Sequence, residues 1–149
     1  MANAALKSYS FLDSHIAFAG PTGAFPLGLG AAEGGITVAM VDVKNNMTIG
    51  AGGDVQHALH ASKAATVTLS LLKNSPDNAL LNVAYNLQSQ SSKLWGQNII
   101  SITTSNGDAV VLTAVAFKKQ PNVAYGKEAA ELVWEFDCGS ADFVLAGSL

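Results

Sequence analysis

Two stretches that alternate side chains with a period of two constrain this chain more than any other feature. The run Ala64–Lys73 alternates apolar residues with threonine and serine, and the earlier run Ile36–Lys44 places Ile36, Val38 and Met40 on one face. Successive side chains of a β-strand point to opposite faces, so both runs predict strands. Both faces of the first run are largely apolar. We therefore expect cover on both sides, one of them supplied by a neighbouring subunit.

The composition is typical of a chain that hides part of its surface in an assembly. Of the 149 residues, 49% are hydrophobic and 13% are charged, against a usual charged share of about 25%. This length predicts a single domain, residues 1–149, with a core of its own. A surface so poor in charge favours contacts with other copies over exposure to water.

The charge balance and the single cysteine exclude several classes of protein. The net charge is −3, and all eight basic residues are lysines. Without arginine, the chain lacks the residue best suited to reading bases and clamping phosphates. Cys138 alone cannot form an internal disulfide, and its apolar neighbours in sequence predict a buried, inert thiol. Neither a signal peptide nor a membrane-length apolar run is evident, so we expect synthesis in a cytoplasm and no membrane insertion.

The first half of the chain predicts strands followed by one helix. Tyr9–Gly20 alternates like a strand, and the following segment contains Pro26, which limits it to a sheet edge. Ser75-Pro76-Asp77 is a strong helix start, because serine caps free amides and proline fits the first helical turn. Beyond it, an apolar stripe follows helical spacing. The stripe consists of Leu80, Val83, Ala84 and Leu87.

The second half of the chain predicts further strands. Ile99–Ser105 and Asp108–Phe117 flank Asn106-Gly107, a strong hairpin signal. We expect a strand over Leu132–Cys138, a turn at Gly139-Ser140 and a final strand over 142–146. The fold class predicted is mainly β, an antiparallel β-sandwich or barrel of about seven or eight strands with one flanking α-helix, at about 75–88.

No constellation of residues in the sequence reaches the standard of an active site. Asp54, His57 and His60 are spaced three apart, so a helix would bring them to one face as metal ligands, but this spacing fits no established zinc pattern. Glu135 and Asp137 could share acid–base chemistry, yet alternating charges on a strand are more typical of a solvated face. We predict no catalytic residue, no bound metal and no cofactor.

Several segments together resemble the tail tube proteins of contractile-tailed bacteriophages. They are SYSFLD, AEGGITV, KNNMTIGAGGD, LHASKAATVTLSLLKNSP, LWGQN and AFKKQP, at 8–13, 32–38, 44–54, 59–76, 94–98 and 116–121. The resemblance implies a structural virion protein whose six copies close into a ring. Stacked rings would form the tube inside a contractile sheath, a plan shared with the tube of type VI secretion. The tube would contact the sheath, baseplate and tail terminator proteins, and its lumen would hold the tape measure protein and DNA in turn.

The resemblance also directs attention to particular residues. An N-terminal arm, residues 1–8, and a glycine-rich loop, 45–54, are the expected contacts with the next ring. Candidate contact residues are Tyr9, Asn45, Asn46, Met47 and Asp54. A hairpin over Ile36–Ile49 is expected to line the lumen together with its neighbour Ala64–Lys73. Candidate lumen residues are Thr37, Ala39, Asp42 and Lys44.

Three alternative functions remain open at the level of sequence. A non-polymerising β-sandwich of a baseplate or adhesin would bind a ligand and stay a discrete particle. A terminator or related ring protein would form single rings without stacking. A small hydrolase would depend on Asp54, His57 or His60.

Overall fold

The computed structural model describes residues 14–27, 31–105 and 107–145. Over these ranges the chain forms nine β-strands and one α-helix. The strands are β1 (Ser14–Gly20), β2 (Gly23–Leu27), β3 (Ala31–Met40), β4 (Asn45–Ile49), β5 (Val55–Leu59), β6 (Ala65–Leu71), β7 (Asn98–Thr104), β8 (Ala109–Lys119) and β9 (Leu132–Val144). The helix, α1, spans Pro76–Gln88 and lies between β6 and β7 in the chain.

Seven strands form one curled antiparallel sheet, and the other two form a separate pair. The order in the large sheet is β2-β1-β7-β8-β9-β6-β3, while β4 pairs only with β5. The large sheet curls into a half-barrel with the single helix. The predicted mainly β, antiparallel, barrel-like fold with one helix is therefore confirmed. The described residues form nine strands, slightly more than the seven or eight predicted.

The core lies on one face of the large sheet, where alternating side chains are sealed from water. β6 buries Ala65, Val67, Leu69 and Leu71 and leaves its threonines and serine on the opposite face. At the centre, the ring of Phe117 lies 5.1 Å from that of Phe136 and 6.0 Å from that of Trp134. Burial of large aromatic side chains of this kind provides much of the driving force for folding.

The helix begins where the sequence predicted it, but of the predicted stripe only Ala84 faces the core. Ser75 accepts a hydrogen bond from the Asp77 amide, and Pro76 occupies the first turn. The core side consists of Leu81, Ala84 and Gln88, whereas three of the four predicted stripe residues remain exposed: Leu80, Val83 and Leu87. Both sets satisfy helical spacing, so periodicity could not choose between them. Among the described residues, no helix is long and apolar enough to span a membrane.

A buried pair of amide side chains ties the end of α1 to the sheet. Asn98 donates to the Gln88 carboxamide oxygen at 2.8 Å, and Gln88 donates back to Asn98 at 2.7 Å. Asn98 also donates to the Val115 carbonyl, and Gln88 to the Thr22 hydroxyl. A Cβ at Gly20 would collide with the Asn98 carboxamide oxygen. This position therefore requires glycine because of close packing.

Gly139 and Ser140 do not form the predicted turn, because β9 runs without interruption through both residues. A Cβ at Gly139 would lie only 2.9 Å from the Cβ of Ala114, whose φ is +53°. Gly139 thus permits the close approach of β8, which the sequence pattern does not distinguish from a turn. Next to it, the buried Cys138 thiol donates to the Thr113 and Ser140 carbonyls. Burial raises the pKa of Cys138, in keeping with the predicted inert thiol.

The sheet edges are formed by β2 and β3. The restriction of the Pro26 segment to an edge is confirmed. The predicted hairpin over Ile36–Ile49 is wrong, since β3 pairs with β6 and β4 pairs with β5. Residues 31–71 instead form one long, interrupted hairpin. Its reversal lies at Gly50–Asp54, where the Gly50 amide donates to the Asp54 carbonyl at 2.7 Å.

Candidate assembly surface

The outer half of this long hairpin projects from the sheet edge with every residue exposed. We call residues 45–59, which comprise β4, its turn and β5, the ribbon; each of its residues is exposed. At its base, the Val41 amide donates to the Ala64 carbonyl at 3.0 Å and the His60 amide to the Lys44 carbonyl at 2.9 Å. Backbone pairing thus fixes the ribbon where it leaves the sheet. An isolated two-stranded hairpin is marginally stable in water, so a ribbon of this kind calls for cover.

The register of the ribbon separates its side chains into two unlike faces. Asn45 pairs with Leu59, Met47 with His57 and Ile49 with Val55. Directly paired residues share one face of an antiparallel pair. The apolar face of the ribbon therefore carries Met47, Ile49, Val55 and Leu59 with Asn45 and His57. The opposite face carries Asn46, Thr48, Gln56 and Ala58.

The apolar face is fully available to a partner. The exposed fractions of its apolar side chains are 53% for Met47, 61% for Ile49, 55% for Val55 and 81% for Leu59. The segment that leads into the ribbon adds Met40, Val41 and Val43, all exposed as well. Exposed apolar side chains gathered in one region of a folded chain are typical of an interaction site.

The structure places the predicted contact residues at different points of the ribbon. Asn45 and Met47 lie on its apolar face, Asn46 on the opposite face and Asp54 at the end of the turn. Residues 45–54 are thus a strand and a turn, and the loop expected there is wrong over 45–49. The glycines of this segment lie in the reversal, where the Gly53 amide donates to the Gly50 carbonyl at 3.0 Å. Tyr9 and the arm 1–8 lie outside the described residues.

A second surface, the outer face of the large sheet, contains two of the four predicted lumen residues. Thr37 pairs with Thr68, which pairs with Glu135, and Ala39 pairs with Thr66, which pairs with Asp137. We call these two cross-strand rows the outer sheet face. Their small, hydroxyl and acidic side chains point away from the core. Asp42 and Lys44 lie apart from it, in the exposed connection between β3 and β4.

Sequence reasoning missed Glu135 and Asp137 as members of this surface, although it placed them correctly on a solvated face. The signal that would have joined them to Thr37 and Ala39 is the pairing of β3, β6 and β9. That pairing is a long-range contact, and the local alternation of each strand does not encode it.

The three residues weighed as metal ligands do not form a site. His57 lies in β5, a strand, and Asp54 and His60 flank that strand on either side. The metal site would have required a helix to bring the three side chains to one face, and this segment forms a strand instead. The His57 ring instead lies 3.1 Å from the Asn45 side-chain amide. Over the described ranges, no group of three or more histidine, cysteine or acidic residues could hold a metal ion.

The curled antiparallel sheet with one packed helix is the fold of tube and cap proteins of contractile injection systems. The chain is similar to the tube-terminating cap of the anti-feeding prophage, with 12% identity, 97% of this chain and 95% of that chain covered and a TM-score of 0.62. It is similar to the sheath/tube terminator of the extracellular contractile injection system PVC, with 9% identity, 95% and 100% covered and a TM-score of 0.65. A chain of the PVC sheath–tube complex matches with 11% identity, 92% and 91% covered and a TM-score of 0.59.

The sequence profile of the family described as bacteriophage PhiTE tail tube protein matches residues 6–146. The chain belongs to this family, and the resemblance noted in the sequence is confirmed. Membership gives it a structural role in a phage tail. A comparison with curated proteins found no match.

Proposed function

We propose that this protein is the tail tube subunit, which closes into rings of six that stack into a tube inside a contractile sheath. The observation that carries the proposal is the ribbon, an amphipathic pair of strands left uncovered on a chain of the tail tube family. Ring number is supported by a structural neighbour from the anti-feeding prophage baseplate, 6-fold symmetrised, which matches with a TM-score of 0.54. The sheath as a partner is supported by the neighbour from a sheath–tube complex.

In this assembly the apolar face of the ribbon is covered by another copy of the chain. The contact is heterologous, since it joins the ribbon of one copy to a different surface of another, and it can therefore repeat without end. Asn45, Met47 and Asp54 take part in the contact with the next ring, together with Asn46 and Tyr9. Strand edges at β2 and β3, which would otherwise invite aggregation, face neighbouring subunits within the ring.

The outer sheet face lines the lumen of the tube. Thr37 and Ala39 present small side chains there, and Glu135 and Asp137 add two carboxylates from each copy. Asp42 and Lys44 lie near the rim. Because the chain lacks arginine and is acidic overall, this wall repels phosphate and lets DNA pass without the release of counterions that drives tight binding. The tube acts as a conduit for DNA ejection, after the tape measure protein has left it.

The remaining partners and the place of assembly follow from this role. The tube meets baseplate proteins at one end and a tail terminator at the other, and it assembles in the cytoplasm of the host bacterium. It needs no enzyme activity, cofactor or membrane.

A second candidate function is a terminator or cap of the same fold. The tube-terminating cap and the sheath/tube terminator match this chain with TM-scores of 0.62 and 0.65, against 0.59 for the sheath–tube chain. A terminator forms one ring and stops. The two functions therefore differ in whether rings of the pure protein stack.

Electron microscopy of the purified chain at rising concentration tests both functions. We expect rings that stack into tubes. Substitution Ile49→Lys places a charge on the apolar face of the ribbon and should give rings without tubes, whereas Gln56→Lys on the opposite face should leave stacking intact. Single rings of the unsubstituted protein under every condition would favour the terminator. A strictly monomeric chain would overturn both.

A further inference from the structure

The exposed side of α1 is another uncovered apolar surface among the described residues. Leu80, Val83 and Leu87 have exposed fractions of 43%, 56% and 42%. Their spacing, i, i+3 and i+7, aligns them on one side of the helix, next to the core-facing side that carries Leu81 and Ala84. We call these three residues the helix stripe. It spans about 10 Å along the helix axis at 1.5 Å per residue.

The helix around this stripe has no exposed charge. Asp77 is the sole charged residue of α1, and it is only 3% exposed. The neighbouring exposed residues Asn82 and Asn86 carry uncharged amides. A helix that faces water normally carries charged side chains on its outer side. Depletion of charge around an apolar centre is instead the composition of a protein interface.

The apolar face of the ribbon matches the helix stripe in character and size. The face consists of Met47, Ile49, Val55 and Leu59 with Asn45 and His57, and it contains no lysine, aspartate or glutamate. From Asn45 to Ile49 the ribbon extends about 14 Å at 3.4 Å per residue, with two strands about 4.8 Å apart. A surface of these dimensions can lie across three residues of a helix. Neither surface complements a charged partner.

We propose that the helix stripe is the seat on which another copy of the chain places the apolar face of its ribbon. This inference rests on the proposed stacking and names the acceptor surface for the ribbon. Every copy then donates one ribbon and accepts one, which is the arrangement that an open-ended filament needs. Met47, Ile49, Val55 and Leu59 would lose their exposure against Leu80, Val83 and Leu87, and the apolar burial would stabilise the contact.

Disulfide trapping tests this contact directly. In a Cys138→Ser background, which keeps a hydrogen-bond donor at the buried position, Met47→Cys and Val83→Cys are introduced together. Oxidation of assembled protein should give a ladder of disulfide-linked trimers and higher oligomers on a non-reducing gel. Either cysteine alone can link at most two chains. The matched control pairs Val83→Cys with Gln56→Cys on the opposite face of the ribbon, and it should give no ladder.

The outcomes separate this inference from the proposed function. If the Met47→Cys/Val83→Cys protein forms tubes but gives no ladder, the helix stripe is not the surface that binds the ribbon, while the proposed stacking stands. The stripe would then be covered by another partner, such as the sheath. Failure of the parent protein to form tubes would instead remove the proposed function. A pair of opposite charges provides a second test of the same contact. Ile49→Lys and Val83→Glu should each abolish tubes, and the double variant should restore them. No restoration, with no ladder, would count against the contact.

Discussion

The strands β6 and β5 show how one sequence pattern leads to opposite surroundings. β6 alternates apolar residues with threonine and serine, β5 places Val55 and Leu59 on one face with His57 between them, and each strand contains a leucine on the more apolar face. Leu69 of β6 is 0% exposed, whereas Leu59 of β5 is 81% exposed. The first belongs to the hydrophobic core of its own chain, where β6 pairs with β3 and β9. The second projects beyond the sheet edge and stays exposed on the single chain. Alternation thus predicts an apolar face, and topology decides whether the same chain can bury it.

The largest expected effect breaks the buried side of this comparison. Leu69→Ala should lower the free energy of unfolding by about 2–5 kcal/mol, because it removes buried methyl groups and leaves a cavity. Denaturant unfolding measures it, in the Ile49→Lys background so that stacking does not contribute. A loss below about 1 kcal/mol would mean that the core around β6 collapses readily onto the smaller side chain.

The next effect tests whether the helix is held to the sheet by its amide pair. Asn98→Ala leaves buried polar groups of Gln88 and Val115 without this partner, and each such group costs about 1–3 kcal/mol. A double-mutant cycle with Gln88→Ala isolates the coupling from the loss of each side chain. Additive losses would show that the pair contributes no coupling of its own.

A smaller effect is expected at the start of the helix. Ser75→Ala removes the side-chain oxygen that accepts from the Asp77 amide, and loss of such a cap costs about 1 kcal/mol. Ser75→Asp should retain most of the stability, since aspartate also caps. Thermal unfolding of the three proteins, compared at one pH, checks this order. Equal stability of Ser75→Ala and the parent would exclude the cap as a determinant.

The smallest effect on stability sharpens the comparison most. Leu59→Ala makes the same chemical change as Leu69→Ala on an exposed side chain, so the free energy of unfolding should change by less than about 0.5 kcal/mol. Its effect should appear in assembly, as a higher protein concentration needed for tubes. Sedimentation of tubes against concentration measures it. If Leu59→Ala destabilises the unassembled chain as much as Leu69→Ala, the ribbon is already covered within one copy.

Features that depend on neighbours in sequence were predictable. Ser75-Pro76-Asp77 fixed the start of α1, the Asn106-Gly107 signal marked the connection of β7 to β8, and Pro26 restricted its segment to an edge. Each of these depends on a torsion or a hydrogen bond formed within a few residues. The turn predicted at Gly139 was wrong because this glycine lies within β9, where it makes room for the side chain of Ala114 on β8.

For the candidate surfaces, too, local spacing and tertiary contacts decided different features. The spacing of the residues gives the ribbon and the helix stripe their apolar character. The sequence by itself determined that the chain would be strand-rich and poor in charge. Only the tertiary structure decided that Leu81 rather than Leu80 faces the core, that β4 pairs with β5, and that Glu135 lies in one row with Thr37. Those choices arise from contacts between residues far apart in the chain, and a local period of two or of 3.6 is satisfied equally by either outcome.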